Sequence, residues 1–100
     1  MTYEELERYV DRLPELYAKH SLTPDTGCHE GECGTAKCAL EVLAIERGID
    51  YWGDVIEGGR ASTAFCQGFD GCDSTYGGYE EYHALGRRAA SLVGLNGNNQ

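Results

Sequence analysis

The sequence predicts an all-α domain, or one that is mainly α with little strand, in which three main helices are joined by two long loops rich in glycine and cysteine. Three observations carry this. Apolar residues recur at spacings of three and four near both ends of the chain, and almost without interruption in a central stretch. Residues that start and stop helices flank these stretches. Between them lie segments whose glycines, prolines and cysteines do not permit regular structure for long. A chain of 100 residues suffices for one core and not two, so a single helical domain is expected over 1–95, with a loose tail at 96–100.

The first helix is expected from Thr2 to Lys19. Thr2 is its N-cap, and Glu5 completes a capping box three residues later. Tyr3, Leu6, Val10, Leu13 and Tyr17 form one apolar stripe. Pro14 removes a backbone donor inside this pattern, which predicts a kink or break near Leu13. His20 follows, where a cation is favoured by the helix dipole. Residues 20–34 then carry Pro24, three glycines and two cysteines, and a loop this long in a small domain calls for a reason such as a bound metal.

Thr35 is the expected cap of a central helix, Ala36 to Arg47, with Gly48 as its left-handed C-terminal residue. Cys38, Ala39, Leu40, Val42, Leu43 and Ile45 make it apolar over most of its circumference, leaving Lys37, Glu41, Glu46 and Arg47 wet. Residues 49–60 fit a short strand or one helical turn equally well. Ser62 or Thr63 would cap a short helix ending at Gln67. Gly68 to Gly78 reads as a second loop. Tyr79 to Val93 is the last helix, with Tyr82, Leu85, Ala89, Leu92 and Val93 inward and Arg87 and Arg88 outward.

Hydrophobic residues make up 41% of the chain, and seven of its aromatic residues are tyrosines. Tyrosine suits a core boundary because one end tolerates water. The core is therefore expected to be thin and to need a metal, disulfides or a partner. The formal charge is −9, from 17 acids against 8 bases. That disfavours direct nucleic-acid binding, which needs a basic footprint, and anionic membrane surfaces; it suits a cation or a basic protein partner. No stretch approaches the roughly 18 apolar residues of a membrane span. The acidic opening Met1-Thr2-Tyr3-Glu4-Glu5 is unlike a secretory signal, so the expectation is a cytoplasmic protein with reduced thiols.

Five cysteines stand at 28, 33, 38, 66 and 72. Cys28 and Cys33 bracket one Gly-containing interval, and Cys66 and Cys72 another. Glycine permits the sharp turn that aims two thiolates at one ion, so Cys28, Cys33, Cys66 and Cys72 would form a structural zinc site tying the two loops together, with His29 as a spare ligand. Cys28, Cys33 and Cys38 also read as C-x₄-C-x₄-C, a spacing compatible with an iron–sulfur cluster or a thiol redox sensor. Reduced, partly buried cysteines with no shared role, or disulfides, are the alternatives.

Cys38 is expected in the first turn of the central helix, in line with Val42 and Ile45. Most simply it is a core residue. A thiol near a helix N-terminus is also a candidate nucleophile, and His83 is the best candidate base. Gly34-Thr35-Ala36-Lys37-Cys38-Ala39-Leu40, running into Ala44-Ile45-Glu46-Arg47-Gly48-Ile49, resembles the nucleophile helix of transglutaminase-like cysteine enzymes, where a segment with the reactive cysteine opens an apolar helix that ends in a Gly-Ile turn. The resemblance covers residues 34–49 and implies a Cys38 nucleophile. That family places its histidine and aspartate on successive strands; here His83 falls in an expected helix.

Tyr76, Tyr79 and Tyr82 recur every three residues beside Glu80 and Glu81. Tyrosine and tryptophan are favoured interface anchors, so Trp52, Tyr79, Glu80 and Glu81 are the candidate partner-binding residues. Asp70 and Asp73 do not follow the spacing of a calcium loop, and no phosphate loop, dinucleotide fingerprint or His-Glu-x-x-His motif is present. These residues point first to a small acidic, non-catalytic protein that binds and modulates another macromolecule, a basic protein foremost, with a structural zinc. Brevity, acidity and the lack of a catalytic motif resemble small accessory proteins of bacteriophages. A cysteine enzyme using Cys38 and His83 is the second reading, and a redox sensor the third.

Overall fold

The computed structural model describes residues 1–26 and 35–95. Helix α1 (Tyr3–Asp11) starts on the expected capping box: Thr2 Oγ1 accepts from the Glu5 amide at 3.1 Å, and Glu5 Oε1 accepts from the Thr2 amide at 2.9 Å. The chain breaks at Arg12 (φ −98°, ψ 0°) and resumes as α2 (Leu13–Lys19). The single helix expected over 2–19 is therefore two. Pro14 sits in the first turn of α2, where its missing N–H has no intrahelical partner to lose. Leu6, Val10, Leu13, Leu16 and Tyr17 form the buried stripe.

The N-terminal end of the central helix differs from expectation. Ala36–Lys37 (β2) pairs in parallel with Thr23–Pro24 (β1), Thr23 opposite Ala36 and Pro24 opposite Lys37. The Thr23 amide donates to the Thr35 carbonyl at 2.8 Å. The Lys37 carbonyl accepts from the Asp25 amide at 3.1 Å and the Tyr17 hydroxyl at 2.7 Å. These bonds occupy carbonyls that a helix beginning at Ala36 would have used. Helix α3 thus runs Ala39–Arg47, and the cap is Cys38, not Thr35. Glu41, expected wet, is 8% exposed and accepts from the Cys38 amide at 3.0 Å. Gly48 ends α3 at φ 71°, as expected.

Residues 49–60 form neither alternative cleanly: a 3₁₀ turn, Trp52–Asp54, is followed by buried Val55 and Ile56. Helix α4 (Gly59–Asp70) is longer than expected at both ends. Ser62 lies inside it, buried, its hydroxyl within 3.3 Å of the Gly53 and Ile56 carbonyls. Gly68 does not open a loop but sits in α4 against α5 (Glu80–Leu92); a Cβ there would land on the His83 carbonyl, and one at Gly86 on the Phe65 carbonyl. Two glycines let these backbones touch, and α4 with α5 is the most extensively packed helix pair among the described residues. His83, Leu85, Ala89 and Ala90 face inward from α5, whereas Leu92, expected inward, is 42% exposed.

Five α-helices are thus present among the described residues, against three main helices and one short one expected, and Cys66 lies in α4, not in a loop. Their buried side chains form one cluster that includes Leu6, Val10, Leu40, Leu43 and Phe65. Cys28, His29, Cys33 and the tail at 96–100 lie outside the described residues. No helix among the described residues is long and apolar enough to cross a membrane.

Candidate functional site: a cleft beside the central helix

The sequence of α3 runs apolar past the point where the core can receive it. Ala39, Leu40, Val42 and Leu43 are buried, but Ile45 is 44% exposed. The Gly48 turn then folds the chain back, with the Ile49 amide donating to the Ala44 carbonyl at 2.8 Å. This brings Ile49 beside Ala44 and Ile45 as an apolar floor. Tyr51 and Trp52 rise from the next segment as a wall, ring centroids 5.2 Å apart and planes at 49°. Together with Lys37 and Glu41 they enclose a cleft of about 400 Å³. Its wall is fixed from behind by Val55 and Ile56 in the core and by the Ser62 hydroxyl.

Three polar features mark the cleft. The Trp52 indole Nε1 is buried and has no hydrogen-bond partner among the described residues. An unsatisfied buried donor costs about 1–3 kcal/mol. Glu41 brings a carboxylate to the floor, one oxygen of which holds the Cys38 amide. Asp50 and Lys37 stand at the rim with opposite charges. Nearby, burial foremost, and next the proximity of Cys38, Glu41 and Asp25, push the Tyr17 phenol well above its ordinary range. That hydroxyl stays protonated and keeps donating to Lys37.

Of the residues singled out from sequence, Trp52 belongs to this cleft. Tyr79 caps α5, half-buried, its ring 6.4 Å from that of Tyr82, which meets Tyr3 edge-on at 5.3 Å. Glu80 and Glu81 are exposed in the first turn of α5, where Glu80 accepts from the Gly78 amide at 3.1 Å. The Tyr79 face and the Trp52 cleft have no lining residue in common. Glu41, Ile45, Asp50 and Tyr51 were not expected to bind. Only the excess of apolar residues in α3 over what one helix can bury hinted at them.

Cys66 is half-buried on α4 and Cys72 is exposed just beyond its end. Among the described residues no three His, Cys, Asp or Glu side chains converge; Cys28 and Cys33, the other two of the expected zinc ligands, are not among these residues, nor is the spare His29. Cys38 is buried at the N-cap of α3. His83 is 7% exposed, its Nε2 2.6 Å from the Cys72 carbonyl, so it ties α5 to the segment after α4.

Comparison with family models, curated proteins and solved structures gives no match.

Proposed function

We propose that this chain is a non-catalytic, cytoplasmic binding protein that modulates a partner by seating a short basic segment of it in the cleft beside α3. The observation that carries this reading is the exposure of Ile45 and Tyr51 in one cleft with Ile49, Glu41 and Asp50. An apolar side chain of the segment covers Ile45 and Ile49. A lysine or arginine lies over the Tyr51 ring toward Glu41 and Asp50. The −9 charge of the chain steers such a segment in and repels acidic ones.

Panning a random peptide library on the whole chain tests this. Peptides combining a basic and an apolar residue are expected to be enriched, and to shift the emission of Trp52, the sole tryptophan. Binding should be lost in Ile45→Asp, kept in Leu92→Asp on α5, and weakened by salt. Acidic peptides, or equal binding by Ile45→Asp, would overturn the reading.

One observation also favours the zinc staple of Cys28, Cys33, Cys66 and Cys72. Thr26, two residues before Cys28, lines a small hollow with Gly68, Asp70 and Gly71, next to Cys72. The chain therefore leaves for Cys28 beside the end of α4. Chelation is expected to lower the melting temperature and remove one zinc mass in native mass spectrometry; a metal-free protein with an unchanged melting curve removes this reading.

A further inference from the structure

The chain is acidic as a whole, yet one hollow inverts that sign. It is about 490 Å³ in volume and is lined by Arg8, Arg12, Arg47, Tyr9 and Glu5. The chain has 8 lysines and arginines, and three of them converge here. Arg8 and Arg12 come from α1 and its C-cap; Arg47 comes from the last turn of α3. Arg8 and Arg12 are four residues apart, a spacing at which like charges repel. Arg47 adds a third cation from a distant element.

The acids nearby offset part of this. Glu5 lines the hollow as a carboxylate, held below the ordinary range by the bond from Thr2 foremost and also by the nearness of Arg47, so three guanidinium groups face one carboxylate there. Arg12 Nη2 lies 3.3 Å from Glu15, in a pair exposed on both sides, which contributes little in water. No ion pair involves Arg8 or Arg47 among the described residues. Instead Arg12 and Arg47 lie over the Tyr9 ring, their guanidinium carbons 5.8 and 5.9 Å from its centroid. These contacts place two guanidinium groups from different elements beside one ring.

We propose that this hollow binds a single phosphoryl group, the guanidinium groups of Arg8, Arg12 and Arg47 donating to its oxygens. Guanidinium forks match phosphate oxygens in pairs, and a dianion neutralises most of the local charge. The surrounding −9 field repels an extended polyanion such as nucleic acid. A compact phosphate, free or as a small monoester, avoids that repulsion because it presents its charge at one point.

The test uses the whole labelled chain at pH 7.5, with arginine side-chain and Tyr9 ring resonances as the readout. Sodium phosphate and phenyl phosphate are titrated against sodium chloride of matched ionic strength. Saturating shifts of Arg8, Arg12 and Arg47 are expected, with half-saturation in about the millimolar range. Arg8→Gln combined with Arg47→Gln should weaken binding about tenfold or more by removing two forks, whereas Arg87→Gln on α5 should not. Circular dichroism checks that both variants fold. Tighter binding of phenyl phosphate identifies a monoester as the ligand, and equal binding identifies free phosphate. Shifts that match those in chloride, fail to saturate, or persist in the double variant overturn the proposal.

Discussion

Ser21 is the one residue other than glycine that the backbone holds at positive φ, at 57°, among the described residues. It closes α2: the Leu22 amide reaches the Tyr17 carbonyl at 2.8 Å and the Ser21 amide the Ala18 carbonyl at 3.1 Å. Gly48, Gly71 and Gly94 occupy the same position after α3, α4 and α5. Glycine relieves the left-handed strain of a Cβ, at some cost in unfolded-chain entropy, so Ser21→Gly is expected to stabilise by about 0.5–1 kcal/mol. Calorimetry reads this as a melting temperature raised by a few degrees. Near it, Glu46 accepts from His20 Nε2 and Lys19 Nζ, both at 2.9 Å. The bond with His20, then that with Lys19, holds its carboxyl below the ordinary 4.5. A carboxylate lowered by folding stabilises above its unfolded pKa and loses that contribution as pH falls through the folded value. Glu46→Gln should therefore lower the melting temperature at pH 7, and the gap from the parent should close as the pH drops below 4.5.

Among the elements, what was legible in the sequence was local. The Thr2–Glu5 capping box, the break near Leu13 and the Gly48 stop each depend on residues within one or two turns, and each is in place. What was not legible depends on residues far apart in the chain. Ala36 and Lys37 have the composition of a helix start; they are extended because Thr23, Asp25 and the Tyr17 hydroxyl claim the carbonyls of Thr35 and Lys37. Gly68 carries the same local message as a loop glycine, and only α5 lying across it gives the other meaning. The candidate cleft follows this rule: Trp52 stood out by residue type, whereas Glu41 and Ile45 became site residues only through the Gly48 turn. Gly86→Ala tests the glycine contact directly. Its methyl would meet the Phe65 carbonyl and the Phe69 amide, backbone atoms that cannot swing aside, so a loss of about 3 kcal/mol is expected in urea unfolding. The neighbouring exposed Arg87→Ala should stay near neutral.

At the scale of the whole molecule the governing quantity is charge. Seventeen acids against eight bases on 100 residues repel one another most in the compact state. The ion pairs Lys19–Glu46, Arg12–Glu15 and Arg88–Asp11 lie near the surface and offset part of this. Salt screens both effects, but the net repulsion acts over the longer range and is the larger. The melting temperature is therefore expected to rise between 20 and 500 mM sodium chloride, in a thermal scan at pH 7. A fall would mean that the ion pairs dominate. Binding in the cleft should run the opposite way, since attraction of a basic segment weakens with salt. One titration of salt thus separates what holds the chain together from what draws a partner to it.

The short parallel pair of β1 and β2 has a consequence for how this chain can change length. The pair is parallel, with Thr23 opposite Ala36 and Pro24 opposite Lys37, and Asp25 is bonded to Lys37, so positions 26 and 35 are held at opposite ends of it, as a parallel pair requires. Neither α2 nor α3 needs to move when that connection grows. Loop-closure entropy rises only logarithmically, by about 0.6 kcal/mol for each doubling. An insert between these two fixed ends that preserves their separation would leave the helical frame, the cleft and the arginine hollow undisturbed.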